Sequence, residues 1–124
     1  MMLLWVMIAG GLGSGARYLV GQWASARFDP SFPYGTLLVN LLGCFALGLV
    51  AQLASSTSWS AELRIAVTVG FLGGFTTYST FNHETLLLFA AGSTGPALLN
   101  VAVTLWGGFA AAWLGVVAAR QLVA

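Results

Sequence analysis

Four groups of residues in this chain could do chemistry at membrane depth. Thr36 and Asn40 are four apart and share one helix face, and Asn100 and Thr104 repeat that spacing near the C-terminal end. A buried amide or hydroxyl needs a partner, so each pair reads as an interhelical hydrogen bond or as part of one polar track. The third group is the segment Gly70-Phe71-Leu72-Gly73-Gly74-Phe75-Thr76-Thr77-Tyr78-Ser79-Thr80-Phe81-Asn82-His83-Glu84. Its paired glycines and run of hydroxyl residues are poor helix formers. Non-helical backbone within a bilayer survives only where protein buries it or it lines a cavity. The segment reads as a broken helix whose freed carbonyls near Gly73 to Thr76 could coordinate a hard cation such as Na⁺. The half-helix that follows would offer its first amides to an anion. A glycine-rich kink with self-capped hydroxyls is the other reading. Tyr78 and Phe81 lie three apart on one face. Ring edges are electropositive, so this pair could stabilise a small dehydrated anion, or could simply pack. Arg17 forms the fourth group, alone near the end of the first apolar stretch, as a snorkelling anchor or as an attractor of anions at a pore mouth.

The elements that must position these residues follow from composition. The chain has 124 residues with four basic and three acidic side chains; 59% are hydrophobic, 6% charged, and mean hydropathy is +0.92. A soluble domain carries about 25% charge, and disorder needs low hydrophobicity. Both are excluded, as is the basic footprint of a nucleic-acid binder. The one cysteine, Cys44, allows neither an intrachain disulfide nor a cysteine zinc cluster. An all-α integral membrane protein remains.

Spans of about 20 apolar residues place helices at 3–25, 34–54, 62–90 and 96–121, with the third broken near 73–77 at mid-membrane. Together they form one four-helix transmembrane domain over residues 1–124. The first span lacks the basic flank of a cleavable signal peptide. The connections are Phe28-Asp29-Pro30-Ser31-Phe32-Pro33, Ser55-Ser56-Thr57-Ser58 and Ala91-Gly92-Ser93-Thr94-Gly95, all turn-rich. Trp5, Trp23, Tyr34 and Trp59 fall near span ends, as interfacial aromatics do. No further domain is expected, so function must lie within the membrane. Arg64 and Arg120 fall on one side, with Arg27 and the deeper Arg17 on the other. That near-balance fits either a partner-oriented chain or dual topology with antiparallel pairing. Gly11 and Gly15, and the row Gly107, Ala111, Gly115 and Ala119, could let helices approach closely. His83 and Glu84 supply neither a nucleophile with its base nor a metal cluster, so no enzyme is expected.

Over essentially its full length the chain resembles the bacterial Fluc (CrcB) fluoride channels. The match lies in Gly11-x-Gly13-x-Gly15-Ala16-Arg17-Tyr18, in Gly35-Thr36-Leu37-x-Val39-Asn40-x-x-Gly43, in Gly70-Phe71-x-Gly73-Gly74-x-Thr76-Thr77-Tyr78-Ser79-Thr80-Phe81, and in Asn100-Val101 with Thr104. The resemblance implies an antiparallel, dual-topology homodimer in the cell membrane with two pores, through which fluoride leaves the cytoplasm passively and fluoride resistance follows. It implies a central Na⁺ on the dimer axis, held by the backbone carbonyls of Gly73 and Thr76 of each subunit. It assigns Asn40, Tyr78, Ser79, Thr80, Phe81 and Thr104 to the pore, and Arg17 and Glu84 to its vestibule. The partners are then fluoride, the lipid bilayer and a second copy of the chain, with no nucleic acid. Tyr78 stands where the family usually has Phe; it keeps the positive ring edge and adds a hydroxyl. His83 reads as an interfacial histidine or as a titrating group. Two rivals stand beside the channel. A proton-coupled small multidrug exporter would want an acid early in the chain, where this one has Arg17. An accessory membrane subunit would transport nothing alone.

Overall fold

A computed structural model describes residues 1–124. The chain is all helical: α1 (Met2–Arg27), α2 (Tyr34–Ser56), α3 (Ala61–Ile65), a π-helical run (Ala66–Leu72), α4 (Gly73–Phe75), α5 (Tyr78–Ala90) and α6 (Thr94–Leu122). Three helices, α1, α2 and α6, are long and apolar enough to cross a membrane. The region expected as a third span is a broken helix. It runs from α3 through the π turn into α4, stops at Thr76 and Thr77, and restarts as α5.

Its interruption falls on the threonines rather than on the glycines. Thr76 (φ −83°, ψ 157°) and Thr77 (φ −150°, ψ 117°) are extended, a conformation that β-branched side chains favour. Gly73 and Gly74 stay helical and serve packing instead. A Cβ on Gly74 would run into the Gly10 carbonyl, and one on Gly13 into the Phe71 carbonyl. The α1 backbone therefore lies directly against the π run and α4. On α1, Gly11 and Gly15 face open space and pack against nothing within the chain, while Gly10 and Gly13 lie on the face against the broken helix. On α6 the expected row packs within the chain. A Cβ on Gly115 would strike the Phe45 carbonyl, and one on Gly48 the Ala112 carbonyl, so α2 and α6 form the most intimate pair. The fully enclosed apolar residues are small for the most part, as Ala24, Val39, Ala54, Ala97 and Ala119 show. Such contacts rest on dispersion at short range, because lipid removes the hydrophobic incentive.

Local signals set the ends. Ser60 accepts the Leu63 N–H and starts α3. Gly92, at φ 78°, ends α5; Gly92 N–H reaches Phe89 O and Ser93 N–H reaches Leu88 O, the paired bonds of a left-handed glycine cap. Arg27 lies over the Trp23 ring at 5.4 Å and Arg120 over Trp113 at 5.5 Å. These are amphipathic pairs suited to a membrane interface.

Gly48→Val is expected to lower stability by about 1–3 kcal/mol through overpacking against α6. Gly95→Ala, in open space on the first turn of α6, should raise it by about 0.5 kcal/mol. Thermal unfolding in detergent compares the two.

Candidate functional site

A groove of about 590 Å³ runs between α2, the break, α5 and α6, lined by Asn40, Thr76, Thr77, Tyr78, Phe81 and Thr104 among others. Thr36, Asn40 and Gly43 follow one another along a single face of α2, and that face meets the broken helix. A Cβ on Gly43 would collide with the Thr76 methyl group, so glycine there lets the break seat against α2.

Asn40 grips the break at two points. Its Nδ2 donates to Thr77 O at 3.0 Å, and its Oδ1 accepts the Thr77 N–H at 2.8 Å. The amide thus stands in for the helical partners that Thr77 has given up, and its second N–H is free of protein acceptors. The Thr77 hydroxyl accepts the Thr80 N–H at 3.3 Å and caps α5, while Thr76 Oγ1 donates to Leu72 O at 2.9 Å. Self-capped hydroxyls and freed carbonyls, which were alternatives in the sequence, therefore coexist.

Arg17 sits elsewhere than at a span end. Its Nε donates to Gly74 O at 3.2 Å, joined by Ser14 Oγ at 3.4 Å. The guanidinium therefore braces the last turn before the break. A Tyr78–Phe81 pair follows with centroids 6.0 Å apart and planes tilted by 46°. Tyr78 lines the groove and is 76% exposed, and the neighbouring Ser79 is exposed as well. Thr80 is half-buried beside Thr77, its Oγ1 accepting from the Thr77 hydroxyl at 3.1 Å.

Glu84 lines a second cleft, of about 520 Å³, with Tyr18, Phe28, Phe32, Tyr34 and Thr36 at the α1–α2 turn. Thr36 Oγ1 donates to Glu84 Oε1 at 2.7 Å, and Glu84 Oε2 is buried without a partner. The two residues assigned to a vestibule are thus separated: Glu84 opens to this cleft, and Arg17 holds the break. Asp29 lies at the cleft's rim, where the Ser31 N–H holds its exposed carboxyl below the usual carboxylate range. That contribution to the turn is complete above the ordinary carboxylate pKa and is lost as pH falls through the lowered value.

Asn100 and Thr104 do not act as a second open pair. Asn100 is only 2% exposed, and its Nδ2 donates to Thr85 Oγ1 at 3.0 Å. Thr85 in turn donates to Phe81 O at 2.8 Å. Thr104, which lines the groove, donates to Asn100 Oδ1 at 3.4 Å. Asn100 therefore pins α5 to α6 and fixes the turn that carries Phe81. Thr77 and Thr85 went unassigned in the sequence. The available signal was a hydroxyl residue four beyond Phe81, closing the polar run Asn82-His83-Glu84.

Nowhere do three or more His, Cys, Asp or Glu side chains gather to hold a metal ion. The donors available to a cation at the break are backbone oxygens. The groove offers an anion the second Asn40 N–H, the Tyr78 hydroxyl and two aromatic rings, while the hydroxyl protons of Thr76, Thr77 and Thr104 go to protein acceptors; no cation is among its lining residues.

An apolar helical chain whose broken helix turns such neutral groups toward a groove is an integral membrane protein built to handle a small ion. The sequence pattern of the family described as CrcB-like protein, Camphor Resistance (CrcB), matches residues 4–116, and the chain belongs to that family. Relatives named "Fluoride-specific ion channel FluC" include one from Sorangium cellulosum, 44% identical over 121 residues (97% of this chain, 95% of the relative). Another, from Acidobacterium capsulatum, is 42% identical over 125 residues and the whole of both chains. A third, from Sphingopyxis alaskensis, is 46% identical over 120 residues (96% and 95%).

Thr85→Val removes the hydroxyl but keeps the shape, leaving the buried Asn100 amide unpaired. Stability should fall by about 1–3 kcal/mol, and Thr85→Ser should recover most of the loss. Unfolding midpoints of the three proteins check this.

Proposed function

We infer that this chain is a fluoride-selective ion channel through which cytoplasmic fluoride leaves passively, conferring fluoride resistance. The observation that carries the reading is the break at Thr76–Thr77, with Asn40 clamped to it and Tyr78 and Phe81 turned toward one groove. Family membership and full-length relatives named as fluoride channels support it. Fluoride is small and tightly hydrated, so a pore must replace its water with donors. Hydroxyls and an amide donate hydrogen bonds, and ring edges add weak positive potential. A groove free of Lys and Arg can bind the ion without trapping it. The protein is a channel rather than an enzyme, as its relatives are.

The finer assignments belong to the same reading. The broken helix acts as the third of four spans in the cell membrane. Asn40, Tyr78, Ser79, Thr80, Phe81 and Thr104 face the ion path, and Glu84 lies at its mouth with Arg17 beside the break. Two copies pair antiparallel; the exposed Tyr78 and the open Gly11–Gly15 face of α1 suit a covering partner. A structural Na⁺ sits at the dimer axis. The residues fit it: Thr76 O accepts no hydrogen bond, and Gly73, on the exposed side, has lost the Thr77 N–H as its carbonyl's donor. Bound there, the ion supplies a fixed positive charge that raises the potential for anions.

Liposomes loaded with potassium fluoride and the purified protein should release fluoride and retain chloride, read with ion-selective electrodes. Equal release of both, or of neither, contradicts the reading. Phe81→Ile should slow fluoride flux about tenfold or more, the scale of losing one positioned electrostatic contact, with the dimer intact by light scattering. Flux should be unchanged when an opposing proton gradient is imposed; a gradient-driven rate would favour the exporter instead.

A further inference from the structure

Two captured amide protons make the break. In an uninterrupted α-helix each N–H donates to the carbonyl four residues earlier. Thr77 N–H would then reach Gly73 O, and Thr80 N–H would reach Thr76 O. Instead Thr77 N–H goes to Asn40 Oδ1 at 2.8 Å, and Thr80 N–H goes to Thr77 Oγ1 at 3.3 Å. The Thr77 hydroxyl donates its own proton to Thr80 Oγ1 at 3.1 Å, which leaves its lone pairs for that amide.

The carbonyls around them are treated differently. Leu72 O keeps the Thr76 N–H at 3.0 Å and gains the Thr76 hydroxyl. Gly74 O is covered by Arg17 and Ser14, and Thr77 O by Asn40. Side chains thus cover Gly74 and Thr77 and leave Gly73 and Thr76 open. Each opening has its own cause, and both causes meet at Thr77.

We propose that Thr77 is the positioning residue of the cation site, a role distinct from lining the ion path. Its N–H, held by Asn40, and its hydroxyl, holding Thr80 N–H, keep the Gly73 and Thr76 carbonyls from closing into helical hydrogen bonds. Both oxygens then stay available to a hard monovalent cation, whose preferred donors are neutral or anionic oxygens. The proposal rests on the sodium reading given above. Without the hydroxyl, Thr80 N–H is left to its helical partner, Thr76 O, and that oxygen is then lost to the ion.

The test titrates Na⁺ against N-methylglucamine and follows the thermal unfolding midpoint of the purified dimer, with fluoride efflux as a separate reading. Wild type and Thr77→Ser should share one Na⁺ midpoint. Thr77→Val should need about tenfold more Na⁺, the effect of one lost hydrogen bond. A folded Thr77→Val protein with the wild-type midpoint overturns the proposal. A backbone ester at residue 80 deletes the Thr80 N–H and keeps every side chain. It cannot close on Thr76 O and should hold the wild-type midpoint or a lower one; a raised midpoint also overturns the proposal. A wild-type protein indifferent to Na⁺ removes the sodium reading and this inference with it, and is distinguished by the unsubstituted chain alone.

Discussion

Backbone polar groups at membrane depth have no water to fall back on, and each must find a partner within the protein. The rest of this structure depends on that constraint. A helix that breaks inside the bilayer exposes donors and acceptors that are expensive to leave bare. Here the break at Thr76–Thr77 is tolerated because Asn40 reaches across from α2 and bonds both the N–H and the C=O of Thr77. Arg17 and Ser14 reach from α1 to Gly74 O. Three elements therefore converge on one non-helical dipeptide. Glycines of α1, α2 and the broken helix let them come that close, since a Cβ at Gly13, Gly43 or Gly74 would collide with its neighbour.

The same convergence produces the chemistry. Once α5 restarts at Tyr78, its first turn carries Tyr78 and Phe81 beside Asn40 and Thr104 in one groove. The Asn100–Thr85 bond fixes the rotation of that turn from the α6 side. Formal charge plays almost no part. The chain has four basic side chains; Arg27 and Arg120 lie over tryptophan rings at the helix ends, and Arg17 is committed to a carbonyl. An anion path made this way relies on dipoles and ring edges, which bind weakly enough for release.

Much of this was legible in the sequence, for reasons tied to particular residues. Long apolar stretches announced α1, α2 and α6, because twenty-odd apolar residues have few other uses. The Gly73-Gly74 pair with its following threonines announced a disturbed helix. Of the two, the threonines make the turn, since Gly73 and Gly74 stay helical and the β-branched Thr76 and Thr77 are extended. Arg17 looked terminal because the apolar run ended near it, and its true setting depends on a carbonyl 57 residues away in the chain. Asn100 read as a twin of Asn40 by spacing alone. Only the packing of α5 on α6 shows that one amide is buried and the other lines the groove. Pairings between distant segments are what a periodic pattern cannot carry.

The central claim is that neutral groups gathered at a broken helix select fluoride over other halides. Electrical recording tests it most directly. The purified protein is placed in a planar bilayer with unequal fluoride and oppositely unequal chloride on the two sides, and the potential at which current reverses is read. The account predicts reversal at the fluoride equilibrium potential. Reversal at the chloride potential, or midway between the two, would contradict it.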